Sequence, residues 1–363
     1  MRVLVMGGTQ FNGLALVREL AQTGHEVVIL NRGKSQAILP MGIERVFADR
    51  TDEAQMRDVL GSVEVDAVID VSAYRAEDVR LMVDIFRGRI AHYIFISSTV
   101  IYKASDHFPI TENHPVERGA IQNEYGNNKL ECEDILIREW RENRFPASIV
   151  AFPMVMGAHN ILPDREQRMF QRLLRDRPIL IPGNGRTLQQ IGHAEDQARA
   201  LRMLLGEPRS FGERYNLTGA DYFSQEGYVD TFGQIVGRKP EKLFIPASLM
   251  EDLWQGRIEI KLPKAEAKVD IRARTQVSPM MINRFMLSML VQQIAPHIHH
   301  WDRSALFSVD KLRRHCGWEP ELNFARAVER TWAWYESEGL PESQQFDFSF
   351  EDDLVDLVRE RMA

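Results

Sequence analysis

Residues 3–13 read Val3-Leu4-Val5-Met6-Gly7-Gly8-Thr9-Gln10-Phe11-Asn12-Gly13, and the helical apolar pattern of Leu14–Leu20 follows directly. An apolar run, a Gly-rich turn and a helix in this order predict a strand that passes through a tight turn into a helix. Glycine lets the backbone turn sharply and approach a pyrophosphate, and the free N–H groups at the helix start hold that anion. We therefore expect residues 7–13 to bind a dinucleotide. The alternative is a strand-to-helix turn without a ligand.

Short apolar runs alternate with helical stretches as far as about residue 155. The strand candidates are Val3–Met6, Glu26–Leu30, Val46–Ala48, Ala67–Val71, Tyr93–Ser97 and Ser148–Phe152. Such alternation is typical of parallel strands joined by crossover helices, and continuous apolar runs indicate a sheet covered on both faces. The sequence therefore predicts an α/β fold with a doubly wound parallel Rossmann sheet over residues 1–157.

After residue 157 the sequence changes to polar amphipathic helices and proline-bounded connections. His193–Leu205 and Arg214–Thr218 predict a helix and a strand that return to the sheet. We therefore expect a smaller, discontinuous C-terminal substrate-binding cap. Its predicted segments are 158–191 and 220–350, with 192–219 rejoining the first domain.

The composition is that of an ordinary globular protein: 363 residues, 44% hydrophobic and 27% charged, with a formal charge of −7. Net acidity argues against general binding to nucleic acid or anionic membranes. The first strand begins directly after Met1, which leaves no room for a targeting segment, so we expect a cytoplasmic protein. Cys132 and Cys316 are expected to be reduced packing residues rather than a disulfide framework.

Tyr125 and Lys129 lie four residues apart and would share one face of a helix. A free tyrosine, with a pKa near ~10, is a poor base at neutral pH, but a neighbouring cation favours the tyrosinate. Ser98 ends a predicted strand, so its hydroxyl would emerge at the carboxyl edge of the sheet, where open α/β folds bind ligands. These three residues are our catalytic candidates. The alternative for the pair is an exposed helical Tyr and Lys.

These motifs together resemble the extended short-chain dehydrogenase/reductase family, which includes nucleotide-sugar epimerases and dehydratases. The resemblance covers nearly the whole chain. It rests on the Gly-rich turn, Ser98 four residues before Tyr102, the Tyr125/Lys129 pair, Pro182–Gly185 followed by His193–Asp196, and the stretches Phe307–Lys311 and Gly317–Pro320.

By this resemblance Tyr125 would be the general acid/base, Lys129 would bind the nicotinamide ribose and tune Tyr125, and Ser98 would orient the substrate oxygen. Hydride transfer to or from nicotinamide needs such groups to converge on one C–O unit. Further cofactor contacts are expected at Asp49, Arg50, Ser72, Ala73 and Pro153.

The chain departs from the family at several positions. Gln10 replaces the middle glycine of the turn, which restricts unusual backbone torsions there. A branch that includes the chloroplast stem-loop-binding proteins shares this feature and resembles the chain at Arg175–Gly183, which raises RNA binding as an alternative. Thr99 and Val100 replace the Asp-Glu pair of family dehydratases, so elimination chemistry is disfavoured. Phe152–Gly157 lacks the asparagine that many family enzymes use near a sugar diphosphate.

Cofactor choice depends on the end of the second strand, because an acidic residue there would bind a ribose diol and repel a 2′-phosphate. The chain instead has Asn31 and Arg32, with Lys34 nearby. This favours NADP(H) over NAD(H). The alternative is a solvated basic turn.

Arginines recur at helical spacing at positions 165, 168, 172 and 175. This stripe could meet a substrate diphosphate through Arg168, although a solvated helix face is the more common arrangement. Arg186 is a second candidate for substrate binding, by its place in the family pattern. We assign no metal, because His297, His299 and His300 lack a suitably spaced acidic or Cys ligand.

The sequence thus predicts an NAD(P)-dependent oxidoreductase or epimerase acting on a sugar or sugar nucleotide. Two alternatives remain open: an RNA-binding or regulatory protein that keeps the fold as a scaffold, and a reductase of a non-sugar natural product. The resemblance also suggests a homodimer packed through the helix that carries Tyr125. Met280–Leu290 has helical apolar spacing and is expected to be core or lid.

Overall fold

The structure is a computed structural model, and it describes residues 1–35, 37–162, 165–258, 287 and 301–362. Its contacts divide the chain into two compact units. The first comprises Met1–Ile161, Gln190–Asp221 and Leu306–Phe324, and the second comprises Leu162–Gln189, Tyr222–Ala305 and Ala325–Ala363.

The strands are numbered along the chain. They are β1 (Arg2–Met6), β2 (Glu26–Asn31), β3 (Glu44–Phe47), β4 (Ala67–Asp70), β5 (His92–Ser98), β6 (Ala147–Phe152), β7 (Val155–Met156), β8 (Ile179–Pro182), β9 (Leu188–Gln189), β10 (Gly192–His193), β11 (Arg214–Asn216), β12 (Phe223–Ser224) and β13 (Lys242–Ile245).

The helices are numbered in the same way. They are α1 (Phe11–Gln22), α2 (Glu53–Gly61), α3 (Ala76–Phe86), α4 (Glu124–Asn143), α5 (Glu166–Leu174), α6 (Ala194–Leu204), α7 (Gln225–Val236), α8 (Ala247–Trp254), α9 (Asp310–Cys316), α10 (Phe324–Ser337), α11 (Leu340–Ser343) and α12 (Ser349–Met362).

The first unit contains a seven-stranded sheet in the order β11-β6-β5-β4-β1-β2-β3, and every pairing in it is parallel. Successive residues of β1 enter opposite cores: Leu4 and Met6 belong to one apolar cluster, Val3 and Val5 to the other. Since both faces are covered, the central strands β1, β4 and β6 are almost entirely buried and mostly apolar, and the predicted doubly wound sheet is confirmed.

The strand order reverses between β1 and β4, because the chain runs outward through β2 and β3 before it returns to β4. Helices that follow these two strands leave in opposite directions, which opens a crevice at their carboxyl ends. The Gly-rich turn after β1 and the residues after β4 therefore lie at this crevice.

The structure differs from the sequence prediction at two places in the first unit. The edge strand β3 occupies Glu44–Phe47 instead of Val46–Ala48, and its two end residues are exposed while its two central residues are half-buried. Residues 306–324, assigned to the cap from sequence, belong to the first unit. The reason is Trp318, which is fully buried and donates its indole N–H to the carbonyl of Asp196 at 3.1 Å.

The second unit pairs β8 with β13 in parallel and β9 with β12 in antiparallel fashion. Phe170 of α5 contacts the rings of Phe232, Trp332 and Tyr335 at centroid distances of 5.1, 4.9 and 5.2 Å. The predicted helix at Met280–Leu290, except Leu287, and the histidines 297, 299 and 300 lie outside the described residues. Among the helices that the structure describes, none combines the length and apolarity needed to cross a bilayer.

Candidate active site

The Gly-rich turn between β1 and α1 requires glycine for close approach. A Cβ at position 13 would lie 2.0 Å from the carbonyl oxygen of Gly7, and Gly7 itself has φ of +90°. Gly8 serves packing, because a Cβ there would lie 2.8 Å from methyl groups of Ile29 and Val17. Only glycine at these positions allows the turn to adopt this conformation.

Gln10 does not restrict the turn in the way the sequence suggested. It has φ of −143° and ψ of 150°, which is extended backbone open to any residue, and it is the N-cap of α1. The unusual torsion lies one residue later, at Phe11, with φ of 41°. The family's middle glycine is therefore dispensable in this conformation.

A groove with a cavity volume of about 810 Å³ opens beside the turn. It brings together eleven of the predicted cofactor residues: Gly7, Thr9, Gln10, Phe11, Asn12, Gly13, Asn31, Arg32, Asp49, Arg50 and Ser72. Four others, Gly8, Ala73, Lys129 and Pro153, are not among the groove-lining residues. The sequence did not anticipate Ser35, Tyr74, Arg75 and Asp78, which also line it.

Polar atoms in the groove fit a dinucleotide. Asn12 Oδ1 and Asn31 Nδ2 are buried and have no hydrogen-bond partner within the described part of the chain. Such atoms are stabilised by a ligand that supplies the missing donor or acceptor. Arg32 and Lys34 are exposed at the rim. The residues present therefore suit a cofactor with both hydroxyl and anionic groups.

Asp49 lies beside this basic rim. Its carboxylate accepts hydrogen bonds from the backbone N–H and the hydroxyl of Thr51, at 3.0 and 2.8 Å. These bonds, and to a smaller extent the charges of Arg32 and Lys34, hold the pKa of Asp49 below its usual value. Asp49 thus carries a negative charge and can accept a ligand hydroxyl.

Arg50 turns inward, contrary to a simple role as a cofactor ligand. Its guanidinium forms a bidentate pair with Asp70, which is fully buried, and also donates to the Ser72 hydroxyl at 3.1 Å. Burial alone would raise the pKa of Asp70, but the Arg50 charge and the hydrogen bonds from Arg50, Tyr93 and Ser72 together outweigh burial, and the pKa is lowered. Both groups are therefore charged, and Arg50 is committed to the wall of the groove.

Lys129 is almost completely buried on α4. Its ammonium donates to the carbonyl oxygens of Ala73 and Ile96 at 2.8 and 2.7 Å. It lies 4.8 Å from the ring centroid of Phe95 and 5.7 Å from that of Tyr125. Burial lowers the pKa of Lys129 to about 8, so the side chain is still protonated at pH 7.

Tyr125 lies on the first turn of the same helix, one turn before Lys129. The side chain of Asn123 caps this helix by accepting from the Gly126 N–H at 2.7 Å. The Tyr125 ring is half-buried and packs against Tyr74, with centroids 5.5 Å apart and planes inclined by 39°. The predicted helical juxtaposition of phenol and ammonium is present.

Ser98 ends β5, two residues after the carbonyl that holds Lys129. Its hydroxyl oxygen accepts from the Val100 N–H at 3.4 Å and begins a 3₁₀ turn over Thr99–Ile101. Ser98 therefore occupies the carboxyl edge of the sheet, as the sequence predicts.

Two of the four arginines of the stripe, Arg168 and Arg172, do not lie on a solvated face, whereas Arg175 is exposed. Arg172 is only 1% exposed and forms a bidentate pair with Glu351 at 2.6 and 2.7 Å. Arg168 donates to the same carboxylate at 2.7 Å and lies over the ring of Phe348. Because its guanidinium is engaged inside the second unit, we do not retain Arg168 as a substrate ligand. Arg186, the second candidate for substrate binding, lies in the segment after β8, and its side chain is exposed.

The chain belongs to the NAD dependent epimerase/dehydratase family, whose sequence model matches residues 3–218. It is 31% identical over 242 residues to the chloroplast stem-loop binding protein of 41 kDa b of Arabidopsis thaliana, covering 62% of this chain and 61% of that protein. It is 25% identical over 253 residues to 2'-dehydrokanamycin reductase of Streptomyces kanamyceticus, covering 68% and 70%. The expected family resemblance is confirmed.

The fold is also shared with a solved structure of UDP-glucose 4-epimerase with UDP-glucose from Thermotoga maritima. The TM-score is 0.68 at 16% identity, with coverage of 93% of this chain and 99% of that one. At this identity the likeness concerns the fold, and it agrees with the parallel sheet described above.

Proposed function

We propose that the chain is an NAD(P)-dependent oxidoreductase or epimerase acting on a sugar or sugar nucleotide, with Tyr125 as the acid/base. The observation that carries the proposal is the buried ammonium of Lys129, fixed by two carbonyls and 5.7 Å from the Tyr125 ring centroid. A buried cation strongly favours loss of the neighbouring phenol proton. A Tyr and Lys exposed on a helix would lack this coupling.

The chain's own groups divide the chemistry as follows. A bound nicotinamide coenzyme supplies the hydride acceptor or donor. Tyr125 Oη takes the proton of a substrate hydroxyl as that carbon is oxidised, and returns it in reduction. Ser98 orients the same oxygen. An ammonium has three donors, and among the described residues two are used, so Lys129 retains one N–H for a ribose hydroxyl.

The coenzyme preference that we propose is NADP(H). Arg32 and Lys34 line the groove without an acidic residue at the end of β2. A 2′-phosphate is favoured by such cations, and a carboxylate at this place would repel it. The cap's role in substrate binding, including Arg186, remains a prediction, as do the homodimer and the cytoplasmic location.

The test compares Tyr125→Phe with Tyr222→Phe, a control at an exposed tyrosine of the second unit. Native mass spectrometry of the purified protein first identifies any retained coenzyme or nucleotide. Turnover is then measured with UDP-galactose as the probe, and coenzyme affinity by fluorescence titration. Loss of an acid/base costs roughly 10²–10⁴ in rate. We expect that loss in Tyr125→Phe with an unchanged coenzyme Kd, and a fully active variant would refute the assignment.

RNA binding is the second candidate function, because a relative at 31% identity is named for stem-loop binding. The formal charge of −7 opposes it. Two results together would reverse the ranking. One is stem-loop RNA binding that weakens steeply between about 50 and 200 mM salt, and the other is the absence of nicotinamide coenzyme binding. Retention of a non-sugar natural product, identified in the mass spectrum, would instead favour the other alternative, a reductase of such a compound.

A further inference from the structure

The residues that follow β4 form a turn, here called turn 72–75, whose backbone donors are all used. The N–H groups of Ser72 and Ala73 donate to Asp70 Oδ1 at 3.1 and 2.9 Å. Those of Tyr74 and Arg75 donate to Asp78 Oδ2 at 2.8 and 2.9 Å. Four consecutive donors held by two carboxylates give the turn one backbone conformation, since charged acceptors form the stronger hydrogen bonds.

One cation connects the two carboxylates. Arg50 donates to Asp70 Oδ1 at 2.9 Å, and its Nε lies 3.9 Å from Asp78 Oδ1. Asp70 is fully buried and also accepts from the Tyr93 hydroxyl at 2.8 Å. The turn is thus anchored from within the sheet and not only from the surface of α3.

Adjacent residues of the turn contact both members of the candidate catalytic pair. The carbonyl of Ala73 accepts from the Lys129 ammonium at 2.8 Å. The ring of Tyr74 lies against the ring of Tyr125 at 5.5 Å. Tyr74 also lines the groove and is 39% exposed, so it lies between the groove and Tyr125 rather than in the core.

We propose that turn 72–75 is the positioning element of the Tyr125/Lys129 pair, and that Tyr74 is the residue through which it orients Tyr125. This proposal rests on the function proposed above. The contact is made by the ring, so the Tyr74 hydroxyl is not required and phenylalanine should replace it. Orientation of a reacting group affects the chemical step more than ground-state binding.

The experiment compares Tyr74→Ala, Tyr74→Phe and the control Tyr222→Ala, with UDP-galactose as the probe. We expect Tyr74→Ala to lower kcat about tenfold while KM and the coenzyme Kd change less than about threefold. Tyr74→Phe should retain kcat within about twofold, and melting temperatures should be similar, since Tyr74 is partly exposed. Equal kcat in Tyr74→Ala and wild type, with Tyr125→Phe inactive, would overturn the positioning role and leave the proposed function standing.

A second readout needs no substrate. In protein with ¹³C-labelled tyrosine rings, the Tyr125 signal is the one that Tyr125→Phe removes. That signal should shift in Tyr74→Ala, because the neighbouring ring current is lost, and stay near its original position in Tyr74→Phe. An unmoved signal in Tyr74→Ala would also overturn the proposal. Activity retained in Tyr125→Phe would instead contradict the proposed function.

Discussion

Replacing Asp70 by Asn should strongly destabilise the first unit. The Asp70 carboxylate is fully buried and accepts bonds from Arg50, Tyr93 and the backbone of Ser72 and Ala73. An amide has the same shape as a carboxylate, but an NH₂ group that can only donate replaces one of the two oxygens. The hydrogen bonds that this oxygen accepts are therefore lost. The Arg50 charge, 14% exposed, would then keep only the more distant carboxylate of Asp78, whose Oδ1 lies 3.9 Å from Arg50 Nε.

The expected loss of unfolding free energy is about 3–5 kcal/mol, the cost of removing one partner of a buried ion pair. Asp84→Asn makes the same chemical change at an exposed pair, where Asp84 and Arg57 lie 3.4 Å apart with side chains 54% and 45% exposed. There the expected loss is small, because solvent screens an exposed ion pair and such pairs contribute little to stability. The difference in destabilisation between the two variants measures the effect of burying the ion pair.

Urea unfolding at pH 7, followed by circular dichroism and by hydrogen exchange of the β4 and β5 amides, measures this difference. The double variant Arg50→Met/Asp70→Leu should recover part of the loss, because it leaves no buried charge unpaired. If Asp70→Asn and Asp84→Asn were equally stable, the proposed anchoring of turn 72–75 would be wrong.

Two further predictions concern coenzyme choice and pH. Arg32→Ala should weaken NADPH binding about tenfold and NADH binding less than about twofold, and equal wild-type affinity for both coenzymes would contradict the expected NADP(H) preference. Burial lowers the pKa of His92 to about 3, so the native state stays neutral where the unfolded state, with a pKa of 6.5, is protonated. Stability should therefore fall as pH drops from about 6.5 toward 3, by about 2–3 kcal/mol at pH 4.5. In the His92→Gln variant, the unfolding free energy measured by urea titration should depend less on pH. If the variant and the wild type showed the same pH dependence, His92 would not be the group responsible.

The sheet was predictable because burial on both faces gives its central strands long apolar runs. The pairing of Tyr125 with Lys129 was predictable because helical geometry fixes the contact of residues four apart. Neither inference needs knowledge of distant contacts. The same holds for the Gly-rich turn, where the steric demand at Gly13 is local to the strand-turn-helix unit.

The charged anchors were not predictable for the opposite reason. Arg172 looks like a surface residue from its spacing, but its partner Glu351 lies 179 residues away along the chain. Arg50, in the turn after β3, and Asp70, at the end of β4, are 20 residues apart along the chain. One signal was available: Asp70 ends an otherwise apolar buried strand, and an acidic residue there requires a partner.

The Lys129 ammonium links two strand ends, since its acceptors belong to Ala73, after β4, and to Ile96, in β5. The same atom that would serve the coenzyme thus also ties together neighbouring parts of the scaffold. Removing this amine, or acetylating it, would loosen the architecture and alter the chemistry at once. Inactivity of a Lys129 variant would therefore not distinguish a catalytic effect from a structural one. Catalysis has to be tested at side chains that have only one of these two roles.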